Sequence, residues 1–365
     1  MAAERSADAA AAAEARLASV TLGDLEAVRL LLRGGSVIDW HRLDLRDHDE
    51  VDRFLRVNEL DPTRAGDVER LETLRAEAVD YLVRNYGFRL PDDIAERIPA
   101  RDLLLVASRR SKKQVYACLV LKVMHIIHHL AGRELGFRLP VSDDELFRLV
   151  EKKVVRIVEE IRGAGHPIIE FQWSRKTHDS LVTKLLAKKS NLAANVYDKL
   201  RFRLVTRERE DLLPCLLQLI HRMIPFNYVV PGESQNDIIT FRRVVEESPS
   251  LSKLAPLLQQ DIGFEEDEGG RANEFSGPGY AMINFVADLP VRIDEHVMRV
   301  DDPAFHEYGP IVFVMTEFQI VDVKTAQSND QGENSHERYK ERQMAKVKVR
   351  LLRGMSSGDE PEKGG

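Results

Sequence analysis

Two hydrophobic periodicities divide the chain near residue 165. Before it, apolar residues recur at three-to-four spacing, as in DVERLETLRAEAVDYLVRNYG (67–87) and VYACLVLKVMHIIHHLAGRELG (115–136), and each run closes on glycine as amphipathic or buried helices do. After it come short β-like runs: PIIEFQW (167–173), LRFRLV (200–205), DIITF (237–241), YAMINFV (280–286) and PIVFVMTEFQIVDV (310–323). Helical stretches, DSLVTKLLAKK and DLLPCLLQLIHRM, lie between them. This order predicts an α+β fold, a mixed β-sheet domain flanked by helices and preceded by a mainly α-helical region. The expected boundaries are 1–165 for the helical region, 166–352 for the sheet domain and 353–365 for a disordered tail. Two stretches read as inserted loops, one ahead of Tyr280 and one ahead of the run that starts at Pro310. The first, over 245–277, is placed to close as a lid.

Composition narrows the class. With 365 residues, 43% hydrophobic and 31% charged, the chain can bury one large core or two moderate ones and is too apolar to be disordered throughout. A formal charge of -7, from 53 basic and 60 acidic residues, argues against a general polyanion binder, although a basic cleft can sit inside an acidic average. Cys118 and Cys215 are isolated in apolar stretches and offer neither a disulfide framework nor a metal-binding spacing, which fits a reducing compartment. The start MAAERSADAAAAAEARLASV has no apolar core of signal type, and no later window is read as spanning a bilayer. A cytoplasmic protein without membrane association is the expectation.

Candidate chemistry gathers in the second half. A period of two puts Glu317, Gln319 and Val321 on one side of their strand and Phe318 and Ile320 on the other, so the carboxylate faces a site or solvent. Asp198 sits where YDKLRFRLV enters a strand. Two carboxylates from neighbouring strands suit Mg²⁺, which takes oxygen ligands and usually adds substrate phosphates. Lys176, Ser180 and Lys184 are four residues apart, which on a helix makes one face of two ammonium groups and a hydroxyl, suited to a triphosphate. Singly, each has a plain structural reading: a solvated lysine face, a strand-entry Asp198, a solubilising Glu317, a core Tyr280. Their joint occurrence shifts the balance. His125, His128 and His129 in MHIIHHL read as packed histidines rather than metal ligands, and RRSKK (109–113) as a solvated loop.

At these residues the chain resembles the synthetase domain of the RelA/SpoT family, whose nucleotidyltransferase-like enzymes move pyrophosphate from ATP to the 3′-hydroxyl of GDP or GTP. Lys176, Ser180 and Lys184 match its K-x3-S-x3-K element, and Asp198 to Arg203 its D-x4-R strand. Ile220-His221, Pro225, Pro231-Gly232 and Asp237-Ile238-Ile239 resemble its I-H…P…P-G…D-[YI]-I stretch, and Gly279-Tyr280 its guanine-stacking G-Y. Glu317-Phe318-Gln319-Ile320 matches its E-x-Q-I strand, and His336, Tyr339 and Lys340 its terminal H-x2-Y-K. The resemblance spans roughly residues 167 to 345. It implies Asp198 and Glu317 as metal-binding and catalytic carboxylates with Mg²⁺. It implies Arg175, Lys176, Ser180, Lys184 and Arg203 as donor-nucleotide contacts, and Tyr280, Arg242, Arg243, Asn284, Gln319 and His336 as acceptor contacts. Alarmone synthesis from ATP and GDP or GTP follows as the implied activity. The alternatives are the same transfer to the 3′ end of a tRNA, and an inactive nucleotide-sensing or scaffold protein. Departures cluster on the acceptor side. Ser174 stands where the family has arginine, PGESQND where it is lysine-rich, Pro278 for its asparagine, Asn284 for its histidine and Val321 for an arginine. Assembly as a homo-oligomer stays open.

Overall fold

The computed structural model describes residues 11–34, 43–187, 199–257, 279–294, 303–331, 334 and 336–352. Six named helices precede the sheet: α1 (Leu22–Arg33), α2 (His48–Val57), α3 (Ala65–Tyr86), α4 (Leu103–Ser108), α5 (Gln114–Arg138) and α6 (Asp143–Gly163). The second half runs β1 (Ile168–Arg175), α7 (His178–Ala187), β2 (Leu200–Thr206), α8 (Leu212–Arg222), β3 (Gln235–Asn236) and α9 (Phe241–Glu247). It continues with β4 (Ile283–Arg292), α10 (Pro303–Tyr308), β5 (Ile311–Asp322), α11 (Val323–Asn329) and α12 (His336–Leu351). The strands form one sheet in the order β1-β2-β5-β4-β3, with β2 and β5 parallel and the other neighbours antiparallel. The fold is thus α+β with a mixed sheet.

Local sequence sets the element ends. Thr21 and Asp24 cap α1 reciprocally, as Ser142 and Glu145 do α6, so the orphan N–H groups of each first turn are satisfied. Gly87 ends α3 at φ 67°, the left-handed position that glycine adopts without strain. The glycines of α5 act differently: the helix runs through Gly132 and Gly136 to Arg138. A Cβ at Gly132 would lie 2.5 Å from the Phe313 ring and 2.7 Å from the Ile311 carbonyl oxygen, so glycine there permits backbone contact with β5. DIITF is not a strand. The paired residues of β3 are Gln235 and Asn236, ahead of DIITF, and Phe241 already opens α9. The Asn236 side chain accepts from the N–H groups of Ile238 (3.3 Å) and Ile239 (2.9 Å), a local turn that competes with the ladder.

The two sheet faces differ. On one, Phe171, Phe202, Phe318 and Phe285 stack across β1, β2, β5 and β4, with ring centroids 6.0, 5.6 and 5.4 Å apart. The last three have no exposed surface, and burying each contributes about 1.5–3 kcal/mol. This core also takes in α6, α8 and the N-terminal α1 through Leu25, Val28 and Leu31. A second core lies among α2, α3, α4 and α5 and includes Tyr228, Ile311 and Phe313. Packing therefore crosses residue 165 in both directions. Arg292 at the end of β4 adds a polar tie, reaching Asp67 on α3 (2.5 Å) and the Glu59 carbonyl (2.8 Å).

One sequence expectation needs correcting. Helix α5 is long and apolar enough to cross a membrane by length and composition, contrary to the expectation that no window is. In the fold it packs one face, Ala117, Val120, Met124, His128 and Leu135, into the protein. The expected lid falls largely on 258–277, and the expected tail on 353–365, both outside the described residues.

Two outcomes follow. Gly132→Ala gains helix propensity of up to about 1 kcal/mol, yet it is expected to be destabilising by about 1–3 kcal/mol in urea titrations, because the methyl meets a backbone carbonyl. Burial pushes His125 and His128 down to about 3, with neighbouring positive charges adding to it. The unfolded chain protonates both near 6.5, so their contribution is complete above that pH and is lost progressively as pH falls toward 3. Denaturant titrations at stepped pH should show stability declining by up to about 2.7 kcal/mol per pH unit within that window.

Candidate functional site

Strand register builds a polar row on the face opposite the phenylalanine stack. Arg201 pairs across from Glu317 and Arg203 from Gln319 on β2 and β5, and Asn284 of β4 lies opposite Gln319. On the outer strands, Ser174 faces Arg201, Gln172 faces Arg203 and Gln235 faces Asn284. Residues in register share a face, so alternation in FQWS, LRFR and TEFQ carries apolar residues to one side and this row to the other.

Glu317 anchors the row and is 5% exposed. Arg201 donates Nε–H to Oε2 at 2.7 Å, and Gln319 donates Nε2–H to Oε1 at 3.2 Å. The Asn284 amide, turned so that both its ends are satisfied, donates to Oε1 and to the Phe318 carbonyl, each at 3.0 Å. A buried carboxylate held by a guanidinium and two amides is compensated, as burial requires. Tyr280, just ahead of β4, is within electrostatic reach of Arg203, Arg201, Glu317 and Tyr339, and burial raises its phenol above the ordinary range against the pull of the two arginines. The backbone next to it is clamped, since the buried Asn329 of α11 donates to the Ala281 carbonyl (2.7 Å) and accepts from its N–H (3.1 Å).

The donor-side candidates divide. Lys176 donates its backbone N–H to Lys199 at the mouth of β1 and β2 (2.9 Å). Ser180 is exposed, its hydroxyl 2.9 Å from that of Thr177, and Lys184 is half-buried on α7. Helix α7 is held from α12, where Arg350 donates to the Leu186 carbonyl (2.7 Å). Arg203 is half-buried on the polar row, with no carboxylate in ion-pair range among the described residues. Arg175 lies in register with Leu200 on the apolar face, where Glu151 (2.7 Å) and Asp144 (3.0 Å) of α6 hold its guanidinium. It is therefore not gathered with the row.

Acceptor-side candidates divide too. Asn284, Gln319 and Tyr280 converge on Glu317. Arg242 and Arg243 are exposed on α9 and form ion pairs with Glu246 (2.9 Å) and Glu247 (2.8 Å), so each is already neutralised along its own helix. Asp198 and the side chain of His336 lie outside the described residues. His221 of the I-H element contacts Asp24 of α1 at 2.6 Å, tying α8 to the N-terminal helix. Burial would raise the Asp24 carboxyl, but the hydrogen bond and charge of His221 and the Thr21 contacts hold it lower overall. Arg201 and Asn329 are the residues that the motifs did not single out. Arg201 was accessible by counting two back from Arg203, whereas Asn329 lies nearly fifty residues from the backbone it clamps and left no local trace.

Among the described residues no group of three or more His, Cys, Asp or Glu side chains gathers as a metal cluster. Mg²⁺ needs only one or two carboxylates when phosphate and water complete its shell. Glu317 is chemically fit to supply one, on condition that Arg201 releases Oε2.

No protein-family model and no curated protein matches the chain. Among solved structures it is similar to the small alarmone synthetase 1 from Bacillus subtilis, at 13% identity over 56% of this chain and 86% of that one, with a TM-score of 0.29. It is similar to small alarmone synthetase 2 from Bacillus subtilis at 11% identity over 58% and 96%, TM-score 0.30. A GTP pyrophosphokinase family protein from Streptococcus pneumoniae is similar at 11% identity over 57% and 83%, TM-score 0.30.

The ion pair predicts an asymmetry in stability. Arg201→Ala strands a buried charge and should cost about 3–5 kcal/mol, whereas Glu317→Gln removes the buried charge and leaves a guanidinium that is 29% exposed and already hydrated in part, and should cost less than half as much. Urea unfolding of the two variants checks the order.

Proposed function

We propose that the chain is a RelA/SpoT-like nucleotide pyrophosphokinase, transferring pyrophosphate from ATP to the 3′-hydroxyl of a guanosine nucleotide. The observation that carries this reading is the convergence of Glu317, Gln319, Asn284, Arg203 and Tyr280 on one face of the sheet, at the positions of the motif resemblance. In this reading the acceptor base stacks on Tyr280, a contact worth about 1–3 kcal/mol in nucleic-acid binders. Glu317 then takes the proton of the 3′-hydroxyl as its oxygen attacks the β-phosphorus of ATP. The bond between the α-phosphate and the β-phosphorus breaks and AMP leaves. Arg203, Lys176 and Lys184 neutralise the phosphate chain, so positioning and electrostatics supply most of the rate. Mg²⁺ held by Glu317, with Asp198 as the second carboxylate of this reading, would add charge neutralisation on the phosphates.

A second reading has its own observation. The Arg201 guanidinium occupies Glu317 Oε2, which favours a nucleotide-sensing protein in which the pair stays closed. Incubation with γ-labelled ATP, Mg²⁺ and GDP, GTP or total tRNA distinguishes the readings. Label on the guanosine nucleotide is the expected result, label on tRNA changes the acceptor, and nucleotide binding without transfer supports the closed pair. Glu317→Gln should lower transfer by at least about a hundredfold while the protein still binds nucleotide; full activity in that variant removes the assigned role.

A further inference from the structure

The core of the helical region is not filled. A cavity of about 100 Å³ lies among α2, α3, α4 and α5, walled by Leu55, Leu71, Leu74, Leu104, Ala107 and Met124. Polar groups line one part of it. His128 is 4% exposed, and neither of its ring nitrogens has a hydrogen-bond partner among the described residues. Asn227, 7% exposed, gives its amide nitrogen to the Asn58 side chain at 2.9 Å, while its Oδ1 has no partner. Buried polar atoms are rarely left unmatched, and three of them belong to two residues that line this one cavity. A neutral imidazole offers one donor and one acceptor, and an amide oxygen offers a second acceptor. Apolar walls with a few convergent polar groups are the ordinary chemistry of a small-molecule site.

We infer that this cavity binds a small, largely apolar molecule carrying one hydrogen-bonding group, with His128 and Asn227 as its polar anchors. Volume bounds the class: at about 100 Å³ the cavity is smaller than an engineered 150 Å³ apolar cavity that accepts benzene, so the occupant is at most a single small ring or a short branched chain bearing a hydroxyl or N–H. Burial keeps His128 neutral, so an uncharged ligand suits it better than an anion. The site adjoins the sheet, because His128 packs edge-on against Phe313 with centroids 5.6 Å apart. Phe313 precedes Glu317 by four residues on the same strand face, roughly 13 Å along β5. Binding here does not depend on the transfer reaction, and its test needs no nucleotide.

Calorimetric titration of the full chain with phenol and, separately, benzene at neutral pH tests the inference. One saturable phenol site, about tenfold tighter than that for benzene, is expected from one added hydrogen bond. Ala107→Leu, which fills the void, should abolish both, and His128→Leu should bring phenol down to the benzene level; urea melts confirm that each variant is folded. Absence of saturable binding to the wild-type chain overturns the site, as does undiminished binding by Ala107→Leu. Equal affinity of the wild type for phenol and benzene, or a preference that survives His128→Leu, overturns the polar anchors even if one variant fails to fold.

Discussion

A carboxylate buried in the middle of a sheet must be compensated, and Glu317 is compensated from three sides. That requirement fixes much of the second half. Arg201 has to arrive from β2, which forces β2 and β5 to be neighbours in this register. Asn284 has to arrive from β4 on the other side. The same alternation that presents these polar groups drives the four phenylalanines to the reverse face, where they and the surrounding helices form the larger core. Site and core are two sides of one strand pattern.

Strand β5 also joins the two cores. Its first residues on the polar side, Ile311 and Phe313, are apolar and belong to the helical core, while Glu317 and Gln319 further along belong to the row. One strand face thus passes from a hydrophobic interface to an ion pair within a few residues. The change is set by where α5 ends its coverage, and Gly132 sets how close that helix can come.

Much of this was legible in the chain. Period-two runs located β1, β2, β4 and β5, and the helical spacing around 67–86 and 115–136 located α3 and α5. The polar row followed from alternation, since Glu317 and Gln319 were read as one face. Three features were less accessible, for physical reasons. DIITF has strand composition, but the Asn236 side chain supplies its own turn, a contact that no propensity records. Gly136 reads as a stop, yet α5 continues to Arg138, while the tight role of Gly132 within the helix depends on Phe313, nearly two hundred residues away. Arg175 and Arg203 looked equivalent as phosphate contacts, yet strand parity sends one toward α6 and the other into the row.

The Gly132 contact also restricts how the molecule can deform. A side-chain interface can slide, because flexible groups exchange neighbours at little cost, but here a helix backbone meets a strand carbonyl with no atom between them. Any Cβ brought to the position of Gly132 would meet that carbonyl and the Phe313 ring. The helix and strand are therefore held at a fixed closeness by one residue without a side chain, so this seam resists the neighbour exchange that a side-chain interface permits.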